Sequence, residues 1–245
     1  MLNRIKNIFS SDRQGQQQPP FMSRLHQIRS WYRANKKMKW GIPQTHFDHC
    51  PLLPQLSAED KQWGYGGCAL FYGFGDDGKG NSDPVLSGKV IWDYARKILK
   101  KRTWHCEYIH FDDPSFIRLH PAAPARPKGF YWGKIQTGKR FINLTVSQAR
   151  KLFRNETGLG PEGLQFLIIT HPNFRTMMNE REHPFMAFAD YDVAPYGYYD
   201  FFDAVQMFVS NGVLGLGIGN VDRNYPFFGI PTIKLVSREE AAKGC

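Results

Sequence analysis

Apolar positions recur along this chain at helical spacing in some stretches and alternate in others, and the switches predict its elements. The clearest run is 140–174. Phe141, Ile142 and Leu144 predict a short half-buried strand, Arg140–Leu144. Thr145 stands three residues before Gln148, the spacing of a capping box. Val146, Ala149, Leu152 and Phe153 then form one apolar helical face. Gly158 and Gly160 end that helix, and Pro161 opens a second one. Leu164, Phe166, Leu167, Ile168 and Ile169 leave the second helix apolar nearly all round, and His171-Pro172 ends it.

The same reading covers the rest of the chain. Phe21–Lys39 is predicted helical, with Ser23 as cap and Phe21, Leu25, Ile28 and Tyr32 on one side. Asp83-Pro84 opens a helix to about Arg102, its apolar side formed by Val90, Ile91, Tyr94, Ala95, Ile98 and Leu99. Strands are expected at Trp104–Phe111, Gly129–Gln136, Pro184–Ala194, Val213–Asn220 and Ile230–Val236. Gly129–Gln136 pairs with Arg140–Leu144 as a hairpin across Thr-Gly-Lys. Asp200–Ser210 is expected as a helix closed by Asn211-Gly212. Mixed elements without regular alternation predict an α+β fold: a mostly antiparallel sheet with packed helices over 41–236. An arm, 1–40, precedes it, and a polar tail, 237–245, follows.

Charge changes this picture at one end. The net charge is +10. Residues 1–40 hold nine Lys/Arg and one acid, Asp12, a net of +8 that leaves +2 for the rest. The arm is expected to contact an anionic partner: nucleic acid, an anionic membrane surface or an acidic protein. Arg24, Arg29, Arg33, Lys36 and Lys37 supply the charge, and Trp31, with Tyr32 and Trp40, supplies rings for stacking. Two other readings stand beside this one. The segment shares the acid-poor character of organelle transit peptides. It equally suits a helix that packs its apolar side on the domain and solvates its charges.

With 42% hydrophobic residues the chain can bury a sizeable core. No apolar run approaches the roughly 18 residues of a membrane span. The charged N-terminus lacks the apolar core of a secretory signal. Cys50, Cys68, Cys106 and Cys245 are widely spaced, which points to a reduced, cytoplasmic compartment.

Candidate chemistry is sparse. His46, His49 and Cys50 match no strong zinc spacing, and neither a metal nor a cofactor is expected. The helix pair at 146–170 does not suit a helix-turn-helix reader, because the second helix offers only Glu162 and Gln165 to base edges. Asp190 and Asp192, at a strand end, read as solvated turn acids. His110, Asp112 and Asp113 read likewise.

Gln62–Gly80 carries seven glycines in nineteen residues. Gln62 precedes Cys68 by six residues, and Phe71 follows by three. Over about ten residues this resembles the nucleophile segment of papain-like cysteine proteases. Gly67 and Ala69 stand where that family carries a small residue and a tryptophan. The resemblance implies Cys68 as nucleophile and Gln62 in an oxyanion hole, with His171 or His183 as base and Asn220 to orient it. The other reading of Cys68 is a buried strand cysteine. Two functions follow: a binding protein using the basic arm, or a hydrolase or acyl-transfer enzyme using Cys68.

Overall fold

The computed structural model describes residues 21–107, 109–111, 113, 115–178, 184–194, 201–237 and 240. Residues 1–20 of the arm, Asp112, His183 and Cys245 lie outside them.

The helices begin where their capping residues stand. Helix α1, Arg24–Met38, is capped by Ser23, whose hydroxyl accepts from the His26 N–H. Two short helices follow, α2 (Gln44–Asp48) and α3 (Ala58–Gln62). Strand β1, Gly67–Gly73, is buried along its whole length. Helix α4, Pro84–Leu99, starts at Asp83, whose carboxylate accepts from Val85 and Leu86 N–H groups. A 3-10 turn, Lys100–Arg102, leads into β2 (Thr103–His105). Strands β3 (Ile117–Leu119) and β4 (Gly129–Gln136) come next. Both bonds of the predicted capping box at Thr145 and Gln148 open α5, Val146–Leu152.

After the two-residue strand β5 (Thr157–Gly158), α6 (Pro161–Gln165) continues as a π turn, Phe166–Thr170. Every residue from Pro161 to Thr170 is buried, so no side chain there is free to read a base edge. Helix α7, Phe174–Met177, is short. The chain then forms β6 (Phe185–Val193), β7 (Asp203–Ser210), β8 (Val213–Asn220), β9 (Phe228–Gly229) and β10 (Thr232–Leu235).

Two sheets result. One has the order β1-β4-β10-β5 and is antiparallel throughout. The other has the order β2-β8-β7-β6-β3, with β9 also on β6; only β2–β8 and β6–β9 are parallel. The fold is α+β with mainly antiparallel sheets. The main core fills the space between sheets and helices around Trp31, Phe71, Trp132, Phe166 and Phe188. A smaller core lies on the other face of β6 and β7, where Ala187, Ala189 and Ala204 pack with Val146 and Ala149 of α5.

Helix α1 belongs to the main core and does not stand free. Trp31 is 0% exposed. Strand β1 is an edge of its sheet, and side chains fill its open hydrogen-bonding positions. Gln27 accepts from Leu70 N–H at 2.8 Å and donates to Cys68 C=O at 3.1 Å. Trp31 Nε1 donates to Leu70 C=O at 2.9 Å. Gln165 accepts from Tyr72 N–H at 2.9 Å and donates to Tyr72 C=O at 3.0 Å.

Three expectations are corrected. Residues 140–144 form no strand; Lys139–Phe141 is a 3-10 turn, and β4 pairs with β1 and β10 instead. Of the stretch expected as the strand Trp104–Phe111, Trp104 and His105 lie in β2, which begins at Thr103, and none of the other described residues of the stretch does. The segment expected as a helix near 200–210 is β7, paired along β8 from Asp203↔Asn220 to Ser210↔Val213. Asn211 and Gly212 have φ of 49° and 74°, the left-handed pair of a two-residue hairpin.

A buried ionic cluster joins the two sheets. Arg126, with a fully buried side chain, contacts Glu162 through Nε and Asp190 through Nη2, both at 2.6 Å. Tyr131 donates to Glu162 at 2.7 Å. Thr157 donates to Asp190 at 2.5 Å, and the Gly158 N–H does so at 3.0 Å. Asp190 and Asp192 are therefore not solvated turn acids. Both are buried within β6, and Asp192 accepts from Arg150 at 2.7 Å.

Candidate anion-binding face

The outer side of α1 carries its charge in one stripe. Burial follows Arg24, Gln27, Ile28, Trp31 and Ala34, so the opposite positions face solvent. Those positions are His26, Arg29, Arg33, Lys36 and Lys37. Lys39 continues the stripe, and the helix contains no acid. Lys36 Nζ lies 4.8 Å from the centre of the Tyr32 ring.

The stripe meets a second set of cations. Lys97 of α4 donates to Lys37 C=O at 3.2 Å, which joins the C-terminal ends of the two helices. Arg96, Lys97, Lys100 and Arg102 are all exposed there. Arg96 is near enough to help depress the His105 pKa, after burial, which is the larger cause. Among the described residues, none of the ion pairs involves Arg33, Lys36, Lys37, Lys39, Arg96, Lys97, Lys100 or Arg102. Unpaired cations of one sign on neighbouring elements raise the local potential and attract anions.

Two of the residues expected at this surface are not on it. Arg24 is 8% exposed, and its guanidinium donates to the carbonyls of Cys50 and Pro51 at 2.8 and 3.1 Å. Trp31 is enclosed by rings and has no face left for stacking. Arg29, Arg33, Lys36 and Lys37 are exposed as expected.

The cysteine constellation gains no support from its geometry. Cys68 is 1% exposed, and its thiol donates to Pro54 C=O at 3.5 Å. Burial pushes that thiol up to about 12, partly offset by Lys134, so it is protonated at neutral pH. Gln62 is exposed at the end of α3. His171 is fully buried against the Phe166 ring, 4.6 Å between centroids. Its Nε2 accepts the Met22 N–H at 3.0 Å, and Nδ1 pairs with the Thr170 hydroxyl at 2.9 Å. It anchors the start of α1.

Burial first, and His26 second, hold the His171 pKa down to about 3. The unfolded chain, with an ordinary histidine near 6.5, takes up a proton that the folded chain refuses. This contribution to stability is complete above about pH 6.5 and is lost as pH falls toward 3. The expected slope approaches about 1.4 kcal/mol per pH unit within that window. Urea unfolding at several pH values checks it. His171→Asn should remove this part of the slope, and parallel profiles for the two proteins would refute it.

Two clefts open elsewhere on the described surface. One, about 860 Å³, lies between α2 and β4 and is lined by His46, His49, Lys128, Phe130 and Trp132. His46 Nδ1 pairs with the Tyr72 hydroxyl at 2.9 Å. The other, about 460 Å³, holds His120, Arg150, Arg154, Glu156 and Asp190. Its charged groups are already engaged. Arg150 pairs with Asp192, Asp190 with Arg126, and Glu156 accepts from Tyr65 and Arg140. Arg154 lies 4.6 Å over the Trp63 ring, and His120 Nδ1 accepts the Ala122 N–H. Among the described residues, no group of three or more His, Cys, Asp or Glu is arranged to hold a metal ion. None of their helices is long and apolar enough to cross a membrane.

The α4 cations were not among the residues expected at this surface. Five basic residues in the seven from Arg96 to Arg102, followed at once by an aromatic strand, were the available signal. No family model matches the chain, and neither does any curated protein or solved structure.

Proposed function

We propose that this protein is a binding module that engages a polyanionic partner through the joined basic ends of α1 and α4. The supporting observation is the one-sided stripe of exposed cations on a docked helix, continued by Arg96, Lys97, Lys100 and Arg102. Docking strengthens the reading, because a packed helix presents its charges without the entropy cost of ordering a free arm.

The test is binding of the full chain to a sulfated polysaccharide and to a short duplex oligonucleotide, followed by anisotropy over a range of salt. Affinity should fall steeply with salt as counterions are released. The triple variant Arg33→Gln, Lys36→Gln, Lys37→Gln keeps good helix formers at all three positions. It should bind about tenfold or more weakly and lose about 2–3 from the log–log salt slope. No binding at low salt, or an unchanged slope in the variant, would overturn the proposal.

A further inference from the structure

Trp104 follows the cationic turn Lys100–Arg102 by two residues and is 50% exposed. It lies on β2, an edge strand, opposite Gly215 of β8. Phe208 of β7 also pairs with Gly215, from the other side. The two rings therefore flank a strand position that has no side chain, 5.9 Å between centroids. A Cβ at Gly215 would approach the Phe208 ring to 2.4 Å, so glycine is what lets that ring lie over β8. Gly217, next on the same face, has only the edge of Phe208 near it among the described residues. Phe185 extends the row on β6, 6.3 Å from Phe208.

The structure thus places an aromatic row over a glycine-notched strand, with Trp104 exposed and Phe208 and Phe185 half-buried, and the row starts two residues along the chain from Arg102, the last cation of the basic belt. Phosphates and stacked rings are the two needs of single-stranded nucleic acid: cations that follow the backbone, and π-faces for bases that have no partner strand. Duplex nucleic acid offers the phosphates but keeps its bases stacked on one another. A lipid surface would want several apolar side chains projecting beside the cations. The other described large apolar residues that are exposed, Leu86, Leu152, Phe202 and Phe227, are not joined to the belt in this way.

We infer that the polyanion is single-stranded nucleic acid, with its backbone on the α1–α4 belt and at least one base stacked on Trp104 beside Phe208. This inference rests on the binding function proposed above and names the partner within it.

The test compares a short polythymidine strand with a duplex, a sulfated polysaccharide and vesicles of mixed anionic and neutral lipid, all with the full chain. The single strand should bind more tightly than the duplex at equal salt and quench tryptophan fluorescence. Trp104→Ala should weaken single-strand binding about tenfold or more while leaving polysaccharide binding unchanged. Trp104→Phe should restore most of the loss, because a ring remains, and thermal unfolding of both variants separates binding from folding. Equal binding of all polyanions, unaffected by Trp104→Ala, would overturn this inference and leave the basic-face proposal standing. Preference for the vesicles would overturn it in favour of a membrane partner. No binding to any probe would remove both.

Discussion

Arg126→Met is expected to lower the free energy of unfolding by about 3–5 kcal/mol, the usual cost of removing one partner from a buried ionic cluster. Methionine has a comparable length and no charge. It would leave Glu162 and Asp190 buried, with only hydroxyls and backbone N–H groups to hold them. The cluster also joins sequence-distant parts: Arg126 precedes β4, Glu162 lies on α6 and Asp190 on β6. Urea unfolding measures the loss as a lower midpoint at unchanged m. Burial already raises the Asp190 pKa, with the arginine opposing it. Without the arginine the Asp190 carboxyl would titrate further above its unfolded value, so it would take up a proton on folding. The deficit should then shrink as pH is lowered. A loss below about 1 kcal/mol would mean that the carboxylates do not depend on the guanidinium.

Trp31→Ala is expected to cost about 3–5 kcal/mol, the range for emptying a large aromatic site in a core. Four aromatic rings, of Trp40, Tyr72, Phe74 and Phe130, lie 5.9–6.2 Å from the Trp31 ring. Trp31→Phe separates packing from hydrogen bonding. It keeps a ring but leaves Leu70 C=O without the indole donor, a cost of about 1–3 kcal/mol. A Trp31→Ala midpoint within experimental error of the parent would show that α1 is not held as described.

Several local features were legible in the sequence because their signals are local. The caps at Ser23, Asp83 and Thr145 fix three helix starts within a residue. The glycine-notched strand at 213–220 was readable from alternation alone. Other features were not, and the reasons are physical. Asn211-Gly212 suits both a helix end and a hairpin, since both require left-handed backbone; only the partner strand decides. The buried side of α1 is rotated toward Gln27 and Arg24, polar residues buried by bonds to distant backbone that periodicity cannot reveal. Asp190 and Arg126 lie 64 residues apart, and nothing between them announces the pair. At the candidate site, four of the cations could be placed from charge and helical spacing. The junction with α4 depends on tertiary packing and could not.

The amides of Gln27 and Gln165 have a consequence for the chain as a whole. Each offers one C=O and one N–H to β1 in the manner of a peptide group, so together with the Trp31 indole they act as a strand made of side chains. An exposed edge of this kind is a template for another chain; here the template is already filled. The cover comes from two remote segments, α1 and α6, and half of it leaves with the first forty residues. Cutting them away would strip the basic stripe and uncover an apolar strand in the same stroke, turning a question about affinity into one about aggregation. Point changes on the outer side of α1 keep the two apart, because the residues that bind outward and those that seal inward occupy opposite sides of one helix.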